Sequence, residues 1–65
     1  MPRYIELDLE VLHMTSDAIC LTDGDSTDWV PFSLIKDSWD ISFDDIGRTK
    51  TFEIEEWRAI SGGFV

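Results

Sequence analysis

The 65-residue chain has one cysteine, Cys20, one histidine, His13, only five Lys and Arg side chains, and no apolar run approaching a membrane span. Each shortage removes a class of function. A single thiol makes no intramolecular disulfide, and one Cys with one His cannot complete a zinc site. A membrane helix needs about 20 predominantly apolar residues. The start of the chain instead has Pro2, Arg3 and then alternating acids, without the apolar core of a signal peptide. Arg3, Arg48, Lys50 and Arg58 are too scattered to suggest a phosphate-binding patch, so direct binding of nucleic acid is not expected. With no recognised catalytic motif the chain reads as a non-enzyme without cofactor, soluble and cytosolic.

What is abundant is negative charge. Fourteen Asp and Glu residues give a formal net charge of -9. Low apolar content would make such a chain disordered. Here 43% of residues are hydrophobic, with three Trp, four Phe and one Tyr, so a folded single domain over residues 1–65 is expected. A domain this short has little stability in reserve, and self-repulsion reduces it further at low ionic strength.

Along the chain, Ile5, Leu7, Leu9 and Val11 alternate with Glu6, Asp8 and Glu10. That strict period of two marks a strand over Tyr4–Val11 with one wet face. A turn-like Met14–Asp17 leads to a second short strand, Ala18–Thr22. The acidic, Gly-containing Asp23–Asp28 then suggests a hairpin into Trp29–Phe32, giving a meander. Pro31 belongs at a strand end, and Pro31–Lys36 suits a single helical or 3₁₀ turn that points Phe32 and Ile35 inward. Trp39, Ile41 and Phe43 alternate with Asp40, Ser42 and Asp44 as a half-exposed strand would, with Trp39 in the core. After a turn at Asp45–Arg48, Thr49–Ile54 reads as a last strand. Glu55–Ser61 reads as a short helix stopped by Gly62 and Gly63. The expected fold is mainly β: a small antiparallel sheet of about five strands, curled or partly closed into a barrel, with a helical turn and a C-terminal helix.

The acids fall in rows. Glu6, Asp8 and Glu10 share one strand face at intervals of about 6.8 Å, on the scale of phosphate spacing along a nucleic-acid strand. Asp40 and Asp44, joined by Asp45, suggest a second row, and Asp23, Asp25 and Asp28 a cluster at the hairpin. The plainer reading is a solvated face that keeps a small β protein soluble and discourages edge pairing. Asp23–Asp28 is not a calcium loop of the EF-hand kind, since Gly24 is second rather than sixth and Leu34 stands where the bidentate Glu belongs. Cys20 suits a buried strand position, His13 a turn near the surface, and Phe64 with Val65 suit docking on the sheet or on a second copy.

Ala18-Ile19-Cys20-Leu21, Asp23-Gly24 and Trp29-Val30-Pro31-Phe32-Ser33-Leu34-Ile35, followed by Phe52-Glu53-Ile54-Glu55-Glu56-Trp57, resemble small proteins carried by bacteriophages and plasmids. Their recurrent pattern is a strand, an acidic turn, a Trp-(Ile/Val)-Pro-x-Ser step and a late strand entering a Trp-bearing helix. The resemblance implies a fold and a mobile-element origin. In size and acidity the chain is also similar to anti-CRISPR proteins that imitate DNA. That likeness implies a stoichiometric inhibitor in the bacterial host cytoplasm whose carboxylates occupy the basic groove of a nucleic-acid-binding complex such as a CRISPR-Cas effector. Glu6, Asp8, Glu10, Asp23, Asp25, Asp28, Asp40, Asp44 and Asp45 are the expected contact residues, on a monomer or weak homodimer. The alternative is a small phage structural or accessory protein that packs through its aromatics.

Overall fold

Alternation of apolar and acidic side chains builds the longest strand, β1 (Tyr4–Met14), in the computed structural model, which describes residues 3–65. It is followed by β2 (Ala18–Thr22), β3 (Thr27–Pro31), β4 (Thr49–Glu55) and a helix, α1 (Glu56–Ser61). The strands form one antiparallel sheet in the order β3-β2-β1-β4. β1, β2 and β3 form the expected meander, and a fourth strand that returns beside the first completes a Greek key. The return, residues 32–48, contains 3₁₀ turns at Phe32–Leu34, Ser38–Asp40 and Phe43–Asp45.

The sheet has four strands and is open. β3 and β4 are its two edges, and the apolar face is covered by α1 and the 32–48 return, so closure is not needed to bury it. The segment that replaces the expected fifth strand is wound instead. Asp37 adopts a left-handed conformation (φ 57°, ψ 37°) before Trp39. Ser42 and Asp45 then form a reciprocal capping box around Phe43–Asp45. Short Asp and Ser side chains offer the backbone partners that compete with a ladder, and here they outweigh the alternation of Trp39, Ile41 and Phe43.

β1 runs three residues beyond Val11 because a bulge resets its phase. Val11 faces Leu21, but the next ladder pairs are His13 with Cys20 and Met14 with Ile19, leaving Leu12 as the additional residue. Unbroken alternation would turn His13 inward. The bulge leaves His13 exposed and packs Met14 against the core.

The core joins Leu9 and Val11 of β1, Ile19 and Leu21 of β2, Val30 of β3, Phe52 and Ile54 of β4, and Ile35, Ala59 and Phe64 from the cover. Two charges lie on this same sheet face, and each meets an opposite charge from the cover. Lys50, opposite Leu9, is 3.1 Å from Asp45 of the return, and Asp28, opposite Leu21, is 2.8 Å from Arg58 of α1. Arg58 also donates to the Trp29 carbonyl at 2.8 Å, while its Nε is buried without a partner.

Glycine ends α1. Gly63 (φ 83°) donates to the Ile60 carbonyl at 3.1 Å and Phe64 to that of Ala59 at 2.9 Å, the paired bonds of a Schellman motif. The reversal drops Phe64 into the core beside Ala59, while Val65 stays exposed. The Cα radius of gyration, 10.5 Å, matches the ~10.7 Å of a compact chain this long.

Candidate acidic interface

Strand register sets which side chains share the uncovered face. Tyr4, Glu6, Asp8 and Glu10 of β1 stand opposite Glu55, Glu53, Thr51 and Thr49 of β4. Glu6, Asp8 and Glu10 are exposed, and Glu53 lies directly across from Glu6. Like charges in that position destabilise a sheet. The Thr51 hydroxyl donates to Asp8, and no residue of the four strands contributes a cation to this face, since Lys50 points to the other. Lys36 stands at the end of the row, its Nζ 6.0 Å from the centre of the Tyr4 ring.

The nine acids expected at the interface divide into distinct groups. Asp23 adjoins the β1 row: it borders a shallow depression of about 170 Å3 together with Asp8, Glu10, Thr22, Gly24 and Thr49. Its carboxylate accepts the backbone N–H groups of Ser26 (2.7 Å) and Asp25 (2.9 Å), which holds it below the ordinary carboxylate range. Asp25 is exposed at the tip of the same hairpin. Asp40 borders a second depression, about 260 Å3, with Glu6, Glu53, Asp37, Lys36 and Lys50 at the β4 edge. Asp44 is exposed on the following turn.

Asp28 and Asp45 lie elsewhere. Asp28 is half-buried on the covered face against Arg58. Asp45 is half-buried, accepting the Ser42 backbone N–H at 3.0 Å and bonding Lys50, which together push its carboxyl below the ordinary range. Both are engaged in holding the cover to the sheet. Conversely, Glu53 and Glu55 belong to the row and were not among the contact residues expected from sequence. Their alternation with Phe52 and Ile54 is visible there, but pairing of β4 with β1 is what brings them beside Glu6.

The other half of the uncovered face is uncharged. Ala18, Cys20, Trp29 and Pro31 occupy it, with Cys20 buried between its ladder neighbours His13 and Trp29. Burial raises the Cys20 thiol pKa, and the Asp28 carboxylate adds to the rise, so the unreactive thiol form is favoured. Among the described residues, no three or more His, Cys, Asp or Glu side chains are placed to hold a metal ion, and no helix is long and apolar enough to cross a membrane.

Large apolar side chains are left outside. Trp39, expected in the core, is 83% exposed and Phe43 65% exposed, both on the 3₁₀ turns, while Ile41 between them packs inward. On α1, Trp57 and Ile60 face solvent, and the Trp57 indole donates to Glu55 at 3.0 Å. Full burial of one such side chain contributes roughly 1.5–3 kcal/mol, a large fraction of the stability of a domain this small. Comparison with protein-family models, curated proteins and solved structures gave no match.

Proposed function

We propose that this protein is a phage-encoded inhibitor of a host nucleic-acid-binding defence complex, most concretely a CRISPR-Cas effector, and acts as a stoichiometric mimic of DNA. The supporting observation is the carboxylate row Glu6, Asp8 and Glu10, widened by Glu53 and Glu55 and continued by Asp23, on a face to which the strands bring no cation. Such a row offers a basic groove a charge pattern like that of a phosphate backbone. The inhibitor works by occupancy and needs neither cofactor nor reaction.

The test is a DNA-binding assay with purified CRISPR effector complexes, with the protein as competitor at low and moderate salt. Wild type displaces DNA from its target, and inhibition weakens as salt rises. E6K/D8K/E10K keeps the fold and loses inhibition. Inhibition unchanged in that variant removes the β1 row from the mechanism. A second reading, a phage structural or accessory protein, draws on the exposure of Trp39, Phe43 and Trp57. It calls for a partner that ignores both DNA and salt.

A further inference from the structure

The turn between Asp37 and Ile46 is held firmly and yet presents its largest side chains outward. Its start is tied to β4 by the Lys36 N–H, which donates to Glu53 at 2.8 Å. Its end is tied to β1 by bonds between Gly47 and Val11 and between Val11 and Arg48, and its middle by the Asp45 to Lys50 contact. Within this frame Trp39, Phe43 and Ile46 are exposed, and so are Asp37, Asp40 and Asp44. The aromatic knob also joins the carboxylate surface, because Asp40, next to Trp39, shares a depression with Glu6 and Glu53.

Charge decides what can cover such a knob. A second copy brings its own net charge of -9, and nucleic acid or an anionic bilayer is repelled in the same way. A protein surface with cations around an apolar cleft is complementary on both counts: Trp is a frequent interface anchor, and a ring of charge pairs around it fixes orientation. We infer that the 37–46 turn is a docking knob for a basic protein surface bearing an apolar cleft, with Trp39 and Phe43 in the cleft and Asp37, Asp40 and Asp44 against cations on its rim. The inference rests on the inhibitor reading only in taking the partner to be a cationic protein. It adds a contact that imitation of phosphate alone does not need.

The test uses the full chain and a displayed library of random 12-residue peptides, panned in the presence of excess W39S/F43S. Both substituted side chains are exposed, so this competitor folds, which circular dichroism verifies. Surviving peptides are expected to combine Lys or Arg with aromatic or aliphatic residues. Synthesised and labelled, they should bind W39S/F43S about tenfold or more weakly than wild type, and D40N/D44N several-fold more weakly. E6Q/D8N/E10Q should bind them nearly as wild type does. The inference is overturned if no clone survives the competitor, if survivors lack cations, or if W39S/F43S binds them undiminished. Loss of DNA competition in E6K/D8K/E10K reports on the strand row alone, so the two proposals fail separately.

Discussion

A Cβ at Gly63 would sit 3.0 Å from the Ser26 hydroxyl, at a φ of 83° that L side chains rarely adopt. Gly63→Ala therefore adds a close contact to a left-handed strain of about 1–2 kcal/mol. Gly24 has positive φ but open space around it, so Gly24→Ala carries the strain alone. Thermal melting should rank G63A below G24A and G24A below wild type, at roughly 4–8 °C per kcal/mol for a domain of this size; equal losses would mean that the Ser26 contact yields freely. Asp28 and Arg58 make a second local test. Their side chains are 22% and 27% exposed, between the surface pairs that contribute little and the buried pairs whose breakage is severe. A double-mutant cycle with D28A and R58A should return a coupling of about 1 kcal/mol. Asp23 and Asp45 connect the same kind of contact to pH. Their folded-state pKa values lie below the ordinary 3.8, through N–H bonds from Ser26 and Asp25 in one case and from Ser42 with Lys50 in the other. The stability they confer is complete above 3.8 and is lost as pH falls through the lower folded-state values. Melting temperature followed below pH 4 should thus fall less steeply in D23A and D45A than in wild type; parallel curves would mean that neither bond favours the folded state.

Pairing of β1 with β4 places Glu6 against Glu53, a juxtaposition that costs stability where no partner is bound. Glu53→Gln should therefore raise stability by about 0.2–1 kcal/mol while weakening the proposed inhibition, a trade that urea unfolding and DNA competition measure on the same sample. An unchanged or lowered midpoint would show that Lys36 or solvent already relieves the repulsion. The strands, the 3₁₀ turn at Phe32 and the terminal helix were legible because each rests on local chemistry: alternation in Tyr4–Val11, turn formers around Gly24, Pro31 at a strand end, and Gly62 and Gly63 as a stop. Two features were not. The β1 bulge depends on how Met14 and Ile19 pack, which period two in the sequence conceals. The alternation of Trp39, Ile41 and Phe43 has the form of a strand, but Asp37, Ser42 and Asp45 supply turn and cap chemistry that wins. The site was half legible for the same reason. Glu6, Asp8 and Glu10 share a face by period alone, whereas adding Glu53 and removing Asp28 and Asp45 required knowing which strands are neighbours and where the cover lies.

Ion pairing is sparse against a net charge of -9: the described residues contain pairs between Arg58 and Asp28, Lys50 and Asp45, and, at the 4.0 Å limit, Arg3 and Glu56. The first two link the cover to the apolar face of the sheet, which leaves the uncovered face to repel itself. Folding confines that charge to a body with extents of 30 × 26 × 17 Å, only a few times the Debye length of roughly 8 Å at 0.15 M salt. Screening should therefore act in opposite directions on stability and on the proposed inhibition. Raising NaCl from about 0.01 M to 0.15 M, where the Debye length contracts from roughly 30 Å to 8 Å, relieves self-repulsion and should raise the melting temperature. The same change weakens attraction to a basic groove and should lower inhibitory affinity. The E6Q/D8N/E10Q variant carries three fewer charges on one face, so both salt slopes should flatten together. If its stability loses salt dependence while its affinity does not, the row is a source of repulsion and the partner engages charge elsewhere, with the Asp40 and Asp44 side of the molecule next in line. If affinity alone flattens, the row is the contact, and the repulsion that salt relieves is spread over the remaining carboxylates.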